Sequence, residues 1–435
     1  MATILPFRGL RYNTKQASDL SFVTAPPYDC ISPEQQEALY DAHPYNVVRL
    51  ILGREAPTDS ETDNRYTRAA RDLKAWVKKG ILMRERRPAL YLYEQEFTVN
   101  GRTSVRRGFT ALVELEEFGG GSIYPHEKTL SKPKEDRLKL LKATRCNLSQ
   151  ILALYPDEKN EVMAVFDRQP LASPDLSVVD SGGVINRMWI ITDETAAAEV
   201  TELMHRRPLF IADGHHRYTT ALNYRRFLRE QGEEVSNHHP ANYTSITCVS
   251  MSDAGLVILP THRVLADFPR TAADRMRELL KPHFTWSKFI GAEATSGRME
   301  EHLARSRATA FGLYLHGDQA GYVVTLKDAA VMAKLVPDQS QEWRKLGVAI
   351  LHRLVIEHLL ANAAGGAENL DIRYVHLAAD AFDAVHENGA ALAFLVRPTR
   401  LEQLKAIAGA GELMPQKSTY FYPKLLSGLV MNPLD

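Results

Sequence analysis

The apolar positions of this chain follow two periods, and the switch between them is sharpest at residues 209–222. Leu209-Phe210-Ile211-Ala212 is a short apolar run that suits a buried strand, and it breaks at Asp213-Gly214. Tyr218, Ala221 and Leu222 then fall at i, i+3 and i+4, one face of a helix that continues to Glu230. A strand that passes through a glycine turn into a helix presents free N–H groups and the positive end of the helix dipole. Such a bend is a ready anion site, and phosphate is its usual occupant.

The same reasoning orders the rest of the chain. Ser32-Pro33 reads as an N-cap with proline at the first helical position, opening a helix through Tyr40. Residues 43–53 read as a strand ending at Gly53, and Tyr66 to Lys79 as an amphipathic helix stopped by Gly80. Residues 89–99 and 106–116 alternate as two strands, with Asn100-Gly101 as a hairpin turn. A helix is expected from Pro133, strands at Ile151–Tyr155 and Met188–Ile191, and a helix from Thr192 to Arg206. Tyr243–Met251 and Leu256–Leu259 are expected to pair through a turn at 252–255. Beyond them come a helix near 270–281, a hairpin turned at Gly317-Asp318, and one helix from Trp343 to Leu360. A strand at Ala391–Val396 and a helix to Ala408 follow, and Gly411 to Lys424 forms a closing loop long enough to cover a pocket. The expected organisation is α+β in three regions: a phosphate-binding region over 1–265, a peripheral unit over 266–345, and a C-terminal region over 346–435 packing back on the core.

Composition narrows the class of function. A chain of 435 residues is long for one core, and 45% hydrophobic with 24% charged residues is that of an ordinary globular protein. Lys plus Arg and Asp plus Glu both total 53, so the basic excess of a general nucleic-acid binder is missing. Cys30, Cys146 and Cys248 are far apart and form no CxxC pair, which fits a reducing cytoplasm. No run reaches the ~20 apolar residues needed to cross a bilayer, and no signal-peptide core is present, so the expected location is cytoplasmic, with no membrane partner.

Four stretches concentrate chemistry. The bend at Asp213-Gly214 carries His215, His216 and Arg217; a guanidinium can fork onto phosphate, and an imidazole can donate to an oxyanion or shuttle a proton. Ahead of the Pro133 helix lie His126, Glu127, Lys128 and Thr129, the residue types that phosphoryl transfer needs for charge and for the hydroxyl proton. Asp29 follows two prolines on a rigid loop before a helix, and His262-Arg263 stands at an expected strand end, where ligands of α/β sheets sit.

Taken together, Ala25-Pro26-Pro27-Tyr28-Asp29, His126-Glu127-Lys128-Thr129 with Lys132-Pro133-Lys134-Glu135-Asp136-Arg137, Ile211-Ala212-Asp213-Gly214-His215-His216-Arg217-Tyr218, Leu259-Pro260-Thr261-His262-Arg263 and Met414-Pro415-Gln416-Lys417-Ser418-Thr419-Tyr420-Phe421 resemble the signature blocks of the family called domain of unknown function 1015. The Gly214 turn is also similar, more distantly, to the Gly-x-x-Arg turn of ParB and sulfiredoxin-like domains, including the free serine kinases. The resemblance implies a ParB/sulfiredoxin-like mixed-sheet core and nucleotide-linked phosphoryl transfer between serine or phosphoserine and ADP or ATP, with Mg²⁺ bridging nucleotide oxygens and no metal ligand identified. Carried over, it implies phosphate binding by Gly214, His215, His216 and Arg217; the residue types themselves add Asp213, His126, Lys128, His262, Arg263 and Lys417 as candidate phosphate or nucleotide contacts, residues beyond about 265 having no counterpart in the shorter kinases. Glu127, Asp29 and His216 are the acid/base candidates, and the sequence does not choose among them. Small-molecule substrate and nucleotide are the expected partners, with a homodimer allowed. Two rivals stand beside this reading: a non-catalytic, nucleotide-sensing module of the ParB type, and a simple phosphoserine phosphatase.

Overall fold

The computed structural model describes residues 2–129, 131–266, 268–269 and 275–435, with Ser131 and Lys132 described by main chain alone. It is mixed α/β and divides into two compact units. Met1–Pro125, Thr129–Val257 and Pro423–Asp435 make the first, and His126–Lys128 with Ile258–Tyr422 make the second. Residues up to Tyr422 from both expected regions beyond 265 therefore share one unit, and the last stretch of chain belongs to the first.

The first unit is built on a nine-stranded mixed sheet. Its order is Ile123–Tyr124, Leu209–Asp213, Ile151–Tyr155, Tyr243–Ser250, Arg102–Glu114, Leu90–Val99, Ile185–Ile191 and Leu176–Val179, with Ile4–Leu5 also pairing with Arg102–Glu114. Ile151–Tyr155 runs parallel to Tyr243–Ser250 and antiparallel to Leu209–Asp213. Alternate residues Phe109, Ala111 and Val113 meet Ile151, Ala153, Leu209 and Ile211 in one core, covered by Val200 and Met204 and by Tyr218, Ala221 and Leu222. That is the helical face the i, i+3, i+4 spacing predicted. The Asn100-Gly101 hairpin is present with both residues at positive φ, 50° and 73°, as a two-residue turn requires; its second strand starts at Arg102, earlier than expected. The Ser32 cap is a full capping box with Gln35.

The second unit holds a six-stranded antiparallel sheet, ordered Phe284–Ile290, Ala320–Leu326, Ala310–Leu315, Leu392–Leu395, His262–Leu265 and Ile372–Val375. Leu265, Leu313, Val324 and Phe394 face one core, with Leu351, Leu354 and Val355; Val264, Tyr314, Val323 and Leu395 face another, with Met299, Leu303, Ala381 and Val385.

Four expectations need correction, and a fifth falls partly outside the described residues. Residues 43–53 form no strand; Val48–Ile51 is a helical turn, because the Asn46 side chain donates to the carbonyls of Phe22 and Thr24 while accepting from the Val48 N–H. A short apolar run reads the same either way, and the Asn46 bonds decide it. Val257–Leu259 does not pair with Tyr243–Ser250, whose two edges are already taken by Arg102–Glu114 and Ile151–Tyr155. His262 and Arg263 begin a strand instead of ending one. The expected helix from Trp343 is interrupted at Leu346, which is extended at ψ 123°; it then runs as Gly347–Ile350, a wide π-helical stretch Leu351–Leu360, and Ala361–Ala364. Of the helix expected near 270–281, Met276–Leu280 is present and 270–274 lie outside the described residues.

Gly108 sits in the large sheet opposite Val249, where a Cβ would lie 2.5 Å from the Cys248 carbonyl oxygen. Gly108→Ala should lower stability by about 1–3 kcal/mol, seen as a fall in the urea midpoint with the slope unchanged.

Candidate functional site

Leu209–Asp213 enters Gly214 at φ 92°, and the helix His215–Glu230 leaves it, so the strand–glycine–helix bend is present. A Cβ at Gly214 would meet the Arg217 guanidinium at 2.9 Å, so only glycine lets that side chain fold back over the bend. Arg217 donates from Nη2 to Asp213 Oδ2 at 2.5 Å and from Nη1 to the Gln150 carbonyl. The forked donation expected of it is thus directed inward in this state, onto a carboxylate and a carbonyl.

Asp213 is the centre of the cluster. Its other oxygen, Oδ1, accepts from Lys424 Nζ at 2.6 Å. Lys424 arrives on the final stretch of chain, which is tied into the first unit by bridges from Ser427 to Ala25 and Met431 to Leu10 and by pairing of Asn432 with Asn147. Side-chain exposure is only 15% for Asp213, 16% for Lys424 and 13% for Arg217. Burial alone would raise the Asp213 carboxyl, but the charges of Lys424 and Arg217, the Lys424 hydrogen bond and the His215 ring hold it far below the carboxylate range. Burial would lower Lys424, yet the charge and hydrogen bond of Asp213, with Cys30 and Asp29 behind it, raise it above the ordinary lysine value.

Beside the bend lies a cavity of about 60 Å³, several times what one water needs. Arg217 and Thr220 from the first two turns of the helix line it, with Arg137, Tyr28, Ser149 and Thr244. The Thr220 hydroxyl is buried without a hydrogen-bond partner. The Arg137 guanidinium lies 4.0 Å over the Tyr28 ring, donates to Asp136 and to the Ile51 carbonyl, and so stands fixed on the cavity wall. Burial, reinforced by Asp29, pushes the Tyr28 phenol up to about 12. Two guanidiniums and several hydroxyl groups are therefore set into the wall of a small cavity whose remaining lining is largely apolar, from Ile51, Leu140, Leu141, Cys146 and Leu148.

The other expected residues divide between the two units. Asp29, His215 and His216 belong to the first, with Asp29 exposed on the turn Tyr28–Cys30 and His215 buried. His126, Glu127, Lys128, His262, Arg263 and Lys417 belong to the second. There the 414–419 loop covers the 126–128 stretch: the Met414 N–H donates to the His126 carbonyl at 2.7 Å, His126 Nε2 meets Thr419 Oγ1 at 2.8 Å, and Glu127 accepts from the Ser418 N–H at 3.3 Å. Lys128 and Lys417 are exposed, and His262 is fully buried, its Nδ1 accepting from the Val396 N–H, with burial lowering it to about 3.

Sequence reasoning passed over Lys424, Arg137, Tyr28 and Thr220. Arg137 and Tyr28 stood inside the quoted blocks without a role, and nothing local in the sequence marks Lys424 as buried.

The chain belongs to the family described as Protein of unknown function (DUF1015), which matches residues 4–349. No curated protein matches it. Among solved structures, a conserved hypothetical protein from Pyrococcus furiosus is 12% identical at TM-score 0.36, covering 74% of this chain and 95% of that one. A free serine kinase in complex with AMP is 13% identical at TM-score 0.35, covering 72% and 86%. SbnI with a C-terminal truncation from Staphylococcus aureus is 13% identical at TM-score 0.35, covering 75% and 87%. Likeness this loose leaves function to be argued from the site. Among the described residues no helix is long and apolar enough to cross a membrane, and no three His, Cys, Asp or Glu side chains cluster as a metal site.

Removing Lys424 leaves Asp213 buried with one cation fewer, so Lys424→Met should cost about 3–5 kcal/mol. Adding Asp213→Asn to that variant should restore part of the loss. The depressed Asp213 contributes stability above about pH 4, lost as pH falls through its folded value, and the raised Lys424 contributes below about pH 10. The penalty of Lys424→Met, measured by urea unfolding, is therefore expected to be flat from about pH 5 to 9 and to shrink in acid.

Proposed function

We propose that this protein is a nucleotide-dependent phosphotransferase acting on serine or phosphoserine in the cytoplasm, in serine metabolism, on a core of ParB/sulfiredoxin-like type. The observation that carries this reading is the small cavity beside the Gly214 bend, where two guanidiniums and neutral hydroxyls stand in an otherwise largely apolar wall. A phosphoryl group carries charge over three oxygens, and fixed cations with oriented donors in a low-dielectric recess are what its transfer needs. Arg137 supplies a charge held in place by Tyr28 and Asp136. Arg217 supplies the second, and its link to Asp213 sets its position on the cavity wall. The first-turn N–H groups behind Gly214 add the dipole end.

Phosphoryl transfer also requires a group for the hydroxyl proton. Asp29 is favoured among the three candidates because it is exposed and adjoins Tyr28 of the cavity wall. In the kinase direction the serine oxygen bonds to the γ-phosphorus, the bond to the departing ADP oxygen breaks, and Asp29 accepts the hydroxyl proton. The reverse direction returns that proton to serine as phosphoserine gives its phosphoryl group to ADP. His216 is the alternate proton carrier. Mg²⁺ would be held chiefly by nucleotide oxygens, as it often is; among the described residues no cluster of His, Cys, Asp or Glu side chains offers a cage for it.

The test is to mix the purified chain with phosphoserine, ADP and Mg²⁺ and to measure serine and ATP, in both directions. Turnover is expected, with Arg217→Ala lowering kcat/KM by about 10²–10³-fold and Asp29→Asn lowering kcat by about 10²-fold or more. Nucleotide binding without product would give the site to a non-catalytic module, and serine release without nucleotide would make it a phosphatase.

A further inference from the structure

The second unit contains a buried cation that no carboxylate among the described residues contacts. Arg263 is 0% exposed and, among the described residues, forms no ion pair. Its Nη1 donates to the Thr261 carbonyl, and its Nη2 donates to the Lys417 carbonyl at 2.9 Å. Its remaining edge is unusual: Nε and Nη2 both point at one atom, Nε2 of His352, at 3.2 and 3.1 Å. Glu127 acts on the guanidinium only at a distance, and the Tyr374 ring lies 5.5 Å away.

An Nε/Nη2 edge presents two parallel donors, a fork that matches the paired oxygens of a carboxylate or phosphate. One imidazole lone pair fills half of it. The arrangement also requires His352 to stay neutral, and burial beside Arg263 does hold that ring far down, at about 3. Two further costs fall on the same spot. His352 is the second residue of the wide π-helical stretch Leu351–Leu360, a geometry that is rare and often found at functional sites. Lys417, whose carbonyl Arg263 holds, sits at φ 57°, a left-handed conformation uncommon for a side chain with a Cβ. An uncompensated buried charge, a widened helix and a strained loop at one locus are what a binding site without its ligand looks like.

We propose that the Nε/Nη2 edge of Arg263 is a receptor for a small oxyanion, a carboxylate or a phosphate, which enters in place of the His352 ring. His352 retains some surface exposure, so swinging its ring outward opens the way to the guanidinium. The ligand neutralises the buried charge and fills both donors, and the Thr261 and Lys417 carbonyls keep the guanidinium plane fixed meanwhile. This receptor stands in the second unit and does not rest on the phosphotransferase reading.

The experiment is a calorimetric titration of the full chain carrying Arg217→Ala, which disables the first-unit bend, with inorganic phosphate and separately with acetate. Saturable binding of one anion per chain is expected, and which of the two anions saturates tells a phosphate receptor from a carboxylate one. Adding Arg263→Lys, which keeps the charge and loses the fork, should weaken it on the order of tenfold or more. Adding His352→Ala, which removes the competing acceptor and leaves Arg263 intact, should strengthen it several-fold. Absence of saturable binding of either anion, or affinities that neither second substitution changes, would overturn the proposal.

Discussion

Asp213 shared between Lys424 and Arg217 is the interaction on which the rest of the first unit's site depends. A carboxylate this buried is stable only with cations against both oxygens, and the chain supplies one from each side of the bend. The one four residues on, Arg217, fixes the first turn of the helix relative to the strand. The other, Lys424, ties in the last stretch of the chain. Gly214 makes the geometry possible, since any side chain there would strike the guanidinium. A charge cluster needed for stability thus also holds a cation rigidly at the edge of a small, largely apolar cavity, the preorganisation that electrostatic catalysis relies on.

The two units meet the cost of buried charge in different ways. In the first, Asp213 and its two cations satisfy one another. In the second, Arg263 has, among the described residues, only neutral acceptors, with a histidine kept uncharged as one of them. The first arrangement is complete as it stands, whereas in the second no carboxylate among the described residues touches the guanidinium and Glu127 acts on it only at a distance. That difference marks the second unit as the place where an anionic ligand would change local energetics most.

Much of the architecture could be read from residue pattern because the deciding signals were local. The Ser32-Pro33 start, the Asn100-Gly101 turn and the period change at Asp213-Gly214 each lie within a few residues, and each is present. The failures came where partners are remote. Asn46 turns an apolar run into a helix by reaching carbonyls 22 and 24 residues back. Tyr243–Ser250 lost its expected partner because distant strands occupy both of its edges. The same holds for chemistry: Asp213, His215 and Arg217 stood out together, but Lys424 reaches Asp213 from 211 residues away, and His352 reaches Arg263 from 89. Residue type and the family blocks put His126, Glu127 and Lys417 beside Arg217 as candidates, and the fold assigns them to different units.

A crystal structure of the full chain with phosphoserine bound tests the central claim most directly. The phosphoryl group is expected in the cavity beside the Gly214 bend, within hydrogen-bond reach of Arg137 and of the first-turn N–H groups, with Asp213 still held by Lys424. Phosphoserine seated elsewhere, with the cavity empty and the bend unchanged, would contradict it.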